Sequence, residues 1–381
     1  MHFNQITRRS ALGAAATLAL PVACQFPGSN SKPKRLLVLG GTRFLGPPIV
    51  RAALAAGWSV TLFNRGRSGK GLFPELERRV GDRNELDYAS LQEGEWDAVI
   101  DTSAYVPEHV RVVAELLAGR VGHYNIISTV SVYAEEQEST GPRDEDSALA
   151  TISQEQIDAT KKIQQVTGET YGALKVLCED AMEEVFKDNC CTVRPGLIVG
   201  PGDSSERFTY WPARLARGGE VLAPGGPKGD GSQEVQLIDV EDLGHWIFEL
   251  TARQVQGTFN ALGYPQPLSM HDMLATCQTV ADNDAHLTWV PDEFLLEQEV
   301  GQWMELPLWI AGGGHQFSLK RALKQGLTFR SIEDTTRRTL DWHLATHGPE
   351  HEFRRTGIAA EKESKVLAAW HESQVAEAAT R

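Results

Sequence analysis

The chain has 381 residues, of which 41% are hydrophobic, and carries 51 acidic against 37 basic side chains for a formal net charge of −14. That length suits one large or two modest domains with a sizeable core. The average charge repels a polyanion and no basic run is long enough to offset it, so no nucleic-acid partner is expected.

Residues 1–34 read as an address and linker, not as fold. Arg8-Arg9 precede the weakly apolar run "SALGAAATLALPVAC", which ends at Cys24. This resembles a twin-arginine export signal and predicts delivery to the periplasm. A disordered or locally helical basic N-terminus, with the chain cytoplasmic, is the alternative. The run is too short for a comfortable membrane span, so none is expected in the mature form. "LPVAC" also allows lipid attachment at Cys24, although Pro21 fits that pattern poorly.

"RLLVLG", from Arg35, is the apolar run of a buried parallel strand. "FLGPPIVRAALAAG" follows with helical spacing and closes on Gly57, and "WSVTLFN" is a second strand. Together they make one βαβ unit. Gly40 and Gly46 stand where the outer glycines of a GxxGxxG turn fall, with Arg43 at the middle position. Such a turn brings backbone N–H groups and a helix N-terminus to a pyrophosphate.

Strand-like runs recur at Val60–Asn64, Arg79–Asp82, Ala98–Thr102, Tyr124–Ser128 and Cys191–Arg194, with helical patterns such as "EHVRVVAELLAG" between them. This alternation predicts a doubly wound α/β fold on a parallel sheet. The polar segment Glu135–Gln165 interrupts it, as a flap beside the site or as a solvated insertion. Past Gly196 the texture turns to Gly/Pro-rich loops such as "LAPGGPKGDGSQ", predicting a smaller substrate domain, while "GTFNALG" returns a strand to the main sheet. The division expected is 35–195 plus about 235–262 for the Rossmann domain, 196–234 plus 263–345 for the substrate domain, and 346–381 for a helical tail packed through Val366, Leu367 and Trp370.

"ETYGALKVLCEDAMEEVF" is an amphipathic helix that puts Tyr171 and Lys175 on one face, four residues apart. A nearby ammonium favours phenolate, so Lys175 is expected to lower the Tyr171 pKa and let it exchange a proton with a substrate hydroxyl or carbonyl. "YNIISTVSVY" ends a strand in Ser128 and Thr129, where strand C-termini line the ligand crevice. The cysteines, Cys24, Cys178, Cys190, Cys191 and Cys277, show no metal-ligand spacing, so buried thiols and no metal are expected. "ERFTYWPARLARGG" offers Arg207, Tyr210, Trp211 and Arg214 to the crevice, and "GQWMELPLWI" reads as core.

In order, "LVLGGTRFLG", "VGDRNE", "VIDTSAY", "IISTVSVY", "YGALK", "VRPGLIVGPGD" and "QLIDVEDLG" make the chain resemble the extended short-chain dehydrogenase/reductase superfamily, in its NAD-dependent epimerase/dehydratase branch. The resemblance implies Tyr171 as acid/base, Lys175 as its electrostatic partner and nicotinamide-ribose ligand, and Thr129 as the hydroxyl partner, with Ser128 a neighbouring candidate. It implies a dinucleotide held by Gly40, Thr42, Arg43, Phe44, Leu45, Gly46, Asn64, Arg65, Asp82, Ser103, Lys175 and Pro195, with Asp82 at the adenine. Two departures stand out: Arg43 replaces the middle glycine, and Asn64-Arg65 replace the acidic residue expected after the second strand. Without that carboxylate a 2′-phosphate is not repelled, and arginines pair with it, so NADP(H) is expected over NAD(H).

Three functions compete: epimerase-type chemistry on a sugar or nucleotide sugar, net reduction of a ketone or enone, and non-catalytic binding, since relatives with "GGTRF" turns include chloroplast RNA-binding proteins. The Tyr171/Lys175 pair and the net charge oppose the last. Export favours a reaction that recharges its own bound cofactor. A small-molecule substrate is expected, and a homodimer is left open.

Overall fold

The computed structural model describes residues 32–135 and 141–380. The expected address, with Arg8, Arg9 and Cys24, lies outside the described residues.

Seven strands form one parallel sheet: β1 (Arg35–Leu39), β2 (Ser59–Asn64), β3 (Glu77–Val80), β4 (Ala98–Asp101), β5 (Tyr124–Ile127), β6 (Cys190–Pro195) and β7 (Gly257–Ala261). Their order is β7-β6-β5-β4-β1-β2-β3, with Leu36 beside Val60 on one side and Ala98 on the other. Helices α1 (Gly46–Ala55) and α4 (Val240–Ala252) cover one face; α2 (Pro107–Leu117) and α3 (Gly168–Phe186) cover the other. Because side chains alternate along a strand, Leu36 and Val38 meet Ile49, Val50 and Ile247, whereas Leu37 and Leu39 meet Val110, Val113 and Met182. Burial on both faces explains why the inner strand β1 is almost wholly apolar, whereas the edge strand β3 reads ERRV. Each buried apolar side chain contributes about 1.5–3 kcal/mol by leaving water.

The strand order reverses between β1 and β4, which opens a crevice at their C-terminal ends. Gly46 lets α1 press on the turn before it: a Cβ there would sit 2.4 Å from Gly41 Cα. The strand expected over Arg79–Asp82 ends earlier, at Val80. Asp82 accepts the Asn84 N–H (3.1 Å) and caps a short 3₁₀ turn instead.

A second apolar core gathers Val199, Trp211, Leu222, Met273, Leu295, Leu306, Trp309 and Leu367. Three crevice candidates belong to this framework. Tyr210 and Trp211 are buried in it, the Trp211 Nε1 donating to the Pro307 carbonyl (2.9 Å), and Arg214 pairs with Glu363 (2.9 Å). Apolar spacing drew them inward, where the sequence reading had offered them to a ligand. The helix Ala360–Thr380 lies on this core through Val366, Leu367 and Trp370, whose ring is 5.0 Å from Phe294.

Cys178, Cys190, Cys191 and Cys277 are free and buried. Cys190 and Cys191 point to opposite faces of the sheet. Among the described residues no helix is long and apolar enough to cross a membrane, and no His/Cys/Asp/Glu group is arranged to hold a metal.

Candidate active site

A cleft of about 1350 Å³ runs along the C-terminal ends of the strands. Its walls include Gly40, Thr42, Arg43, Phe44, Leu45, Asn64, Arg65, Asp82, Ser103, Thr129, Tyr171, Lys175 and Pro195. Of the residues expected to hold the dinucleotide or carry the chemistry, only Gly46 stands outside the wall, under the turn where its missing side chain allows close packing.

The turn after β1 fits a pyrophosphate. Gly40 has φ +104°, and a Cβ there would lie 2.3 Å from Thr102 Oγ1. Among the described residues no hydrogen bond is made by the amides of Gly41–Leu45; the turn closes through Gly46 N to Arg43 O at 2.8 Å. Pro47 and Pro48 open α1 without N–H groups, so the donors offered to an anion are those of the turn. Asn64 braces this side, its amide donating to Gly40 O (3.3 Å) and its oxygen accepting Gly66 N–H (2.9 Å). Arg43 and Arg65 are exposed, and their guanidinium groups have no ion pair among the described residues. Arg67 lies 3.9 Å from Asp82.

Beneath the cleft, Arg83 grips Asp101 at the end of β4 through two bonds of 2.6 and 2.8 Å, and Tyr124 donates to the same carboxylate (2.9 Å). Burial pushes the Asp101 pKa up, but the Arg83 guanidinium outweighs it and holds the group below the usual carboxylate range. Arg83 also donates to Ser103 Oγ (2.9 Å) and so ties the β3 loop to the β4 loop. Position in the "VGDRNE" motif was the one available hint of this residue.

Tyr171 and Lys175 rise from the first turns of α3, which Thr167 caps. Gly172 lets that helix approach the Thr129–Tyr133 segment: a Cβ would lie 2.0 Å from Ser131 O. The expected electrostatics are reversed here. Burial pushes the Tyr171 pKa up to about 12, Tyr105 adds to the shift, and Thr129 and Arg207 only partly offset it. Lys175 is turned away from the phenol. Its ammonium donates to the carbonyls of Ala104 (2.7 Å) and Ile127 (2.5 Å), and burial pulls its pKa down. Tyr105 stands by both, 6.2 Å from the Tyr171 ring and 5.2 Å from Lys175 Nζ. Thr129 Oγ1 donates to Ser131 Oγ (3.2 Å), and Ser128 Oγ is buried in the wall with no partner among the described residues.

The far wall comes from distant segments. Arg207, Trp303, His315 and Phe317 line it beside Tyr133 and the buried Arg143, whose guanidinium meets His315 Nε2 (3.2 Å). Trp303, read as core, packs against the second apolar core as expected and also lines the cleft, with φ +65°. Part of the Glu135–Gln165 segment completes the wall with Ala150, Thr151 and Ile163, anchored by Ile163 N–H to Asn84 Oδ1 (3.1 Å).

A parallel sheet with its cleft at the switch point and a free-amide turn after its first strand is the arrangement that receives a dinucleotide. Residues 36–261 match the NAD dependent epimerase/dehydratase family. The chain belongs to that family. It is 27% identical over 230 residues to the chloroplast stem-loop binding protein of 41 kDa b of Arabidopsis thaliana, a match covering 56% of this chain and 54% of that protein, so it spans about half the length of that relative. It is 27% identical over 275 residues to the 2'-dehydrokanamycin reductase of Streptomyces kanamyceticus, covering 69% of this chain and 71% of that one. Its fold is that of the UDP-glucose 4-epimerase of Thermotoga maritima, at a TM-score of 0.60, 16% identity, and coverage of 82% of this chain and 99% of that one.

Proposed function

We propose that the enzyme interconverts a carbinol and a ketone on a sugar, nucleotide sugar or similar substrate, as a step of epimerisation or dehydration. The reading rests on one juxtaposition: Tyr171, Thr129 and the free-amide turn Gly41–Leu45 open on the same cleft. The dinucleotide, when bound, supplies or takes up hydride. Tyr171 exchanges the proton at the substrate oxygen, and Thr129, with the unpartnered Ser128 hydroxyl beside it, orients that oxygen. Lys175 fixes the ends of two strands through Ala104 and Ile127, which keeps the floor beneath the reacting centre rigid. Arg43 and Arg65, both unpaired at the adenosine end, favour NADP(H) by offering charge-assisted bonds to a 2′-phosphate.

Net reduction of a ketone is the second reading. A phenol with its pKa near 12 is protonated at neutral pH, so it donates to a carbonyl oxygen readily, and the relative from Streptomyces kanamyceticus is named a reductase. Denaturing purified protein and assaying the released nicotinamide separates the two. One tightly held equivalent per chain supports the self-recharging cycle, and turnover that consumes free NADPH with no retained cofactor supports the reductase. Protein that neither retains nor uses a nicotinamide sinks both.

Export of the folded holoenzyme by the twin-arginine route is proposed on Arg8-Arg9 alone. Changing both to lysine is expected to leave active enzyme in the cytoplasm on fractionation. Unchanged export would show that the address is of another kind.

A further inference from the structure

Arg207 is a charge held ready without a partner. It follows Glu206, a residue forced to φ +56°, on the loop after Val199. Its Nε donates to Ser205 Oγ (3.1 Å), and Ser205 Oγ in turn donates to Asp203 (2.8 Å), which also accepts the Ser205 N–H (2.8 Å) and is only 4% exposed. Its guanidinium carbon lies 5.1 Å from the centre of the Trp303 ring. Trp303 is itself held at φ +65°. Backbone strain on both sides of one side chain is the pattern of a site kept in place by its surroundings.

This clamp occupies the Nε edge and one face of the guanidinium. Among the described residues the two terminal nitrogens have neither hydrogen bond nor ion pair. Asp203, in the same wall, is held by Ser205. Burial pulls the Arg207 pKa down, and the Asp203 carboxylate, reached through Ser205, only partly offsets that cost. Tyr171 lies in the same wall, near enough that each group senses the other's charge.

We propose that Arg207, seated on Trp303, receives a carboxylate of the substrate next to the carbinol served by Tyr171. A planar guanidinium edge offering two parallel donors matches a carboxylate fork. Trp303 supplies an apolar face for the ring that carries it. The substrate class is then an acid sugar or a comparable hydroxy or keto acid. The inference rests on the oxidoreductase reading of the Tyr171 site and narrows its substrate.

The test is isothermal titration of the holoprotein with D-glucuronate, D-glucose and glucose 6-phosphate. Glucuronate is expected to bind at least about tenfold more tightly than glucose, and Arg207→Gln to remove that preference. Arg207→Lys, which keeps the charge without the fork, is expected to keep only part of it, with an unchanged melting point showing that the fold is intact. Equal binding of glucuronate and glucose, or a preference surviving Arg207→Gln, overturns the proposal. Tighter binding of glucose 6-phosphate than of glucuronate also overturns it, assigning the edge to phosphate. Tyr171→Phe separates this inference from the reading beneath it. If that variant loses turnover but no acid preference is found, only the subsite is wrong. If it keeps both binding and turnover, the catalytic reading is wrong and the acid subsite stands.

Discussion

The two walls of the cleft handle charge in opposite ways. On the dinucleotide side Arg43 and Arg65 stand in water without partners, and the turn amides are free. Behind the other wall, beneath Tyr133, charges are buried and saturated: Arg194 holds Glu179 by a 2.6 Å contact and also donates to Tyr133 (3.1 Å), while Glu145 receives the Asn260 N–H (2.9 Å). Solvated charge is cheap to keep and free to be spent on a ligand. Buried charge is costly to disrupt and serves mainly to fix shape. Deleting a charge on one wall should therefore change ligand preference, and deleting one on the other should change stability.

The largest effect is expected at the junction. Tyr171→Phe should lower turnover roughly 10²–10⁴-fold with cofactor content unchanged, as steady-state rates and released nicotinamide would show. Activity near wild type would remove Tyr171 from the chemistry.

Next comes the buried pair. Glu179→Ala leaves the Arg194 guanidinium uncompensated and should cost about 3–5 kcal/mol of stability, read by denaturant unfolding. Arg43→Ser should cost almost nothing in the same assay, and a comparable loss there would collapse the contrast between the walls.

On the open wall, replacing Arg43 and Arg65 together by uncharged residues should weaken NADP(H) relative to NAD(H) by about 10–100-fold. If affinity for both falls equally, the arginines serve the fold.

The smallest effect concerns pH. Burial lowers the pKa of His123 and of His343 from 6.5 to about 4, with His351, His347 and Arg217 adding to the His343 shift. The unfolded chain binds these protons before the folded one does. The stability they contribute is complete above pH 6.5 and drains away as pH falls toward about 4, by roughly 1–3 kcal/mol for each group. His343→Phe should flatten part of that decline. An unaltered slope would place the acid sensitivity elsewhere.

The open wall was largely legible in the sequence because contiguous residues build it. A strand, a glycine turn and a helix follow one another from Arg35, so spacing placed Gly40 and Arg43 in the turn. The closed wall was not. Only Arg207 was read there from its own segment; Trp303 and His315 join it in the wall only after the chain has folded, and no period connects them. Trp303 lay inside an apolar run and does pack on the core, and nothing in that run tells that it also lines the cleft. Tyr171 and Lys175 were correctly placed on one helix face. Their spacing says nothing, however, about the carbonyls of Ala104 and Ile127, and those carbonyls draw the ammonium away from the phenol.

Cys190 and Cys191 lead to a further point. Adjacent on β6, they face opposite sides of the sheet, so the folded chain cannot join them to each other. Burial pushes the Cys190 thiol up to about 11 and the Cys178 and Cys277 thiols up to about 12, and raises Cys191 as well, so hardly any thiolate exists at neutral pH. Thiolate is the species that oxidants and disulfides attack. Once folded, these four thiols are indifferent to the redox poise of their compartment. Before folding they are ordinary exposed cysteines open to mispairing. The protein is thus sensitive to the order of events: it tolerates an oxidising environment only if its sheet has closed before it arrives there.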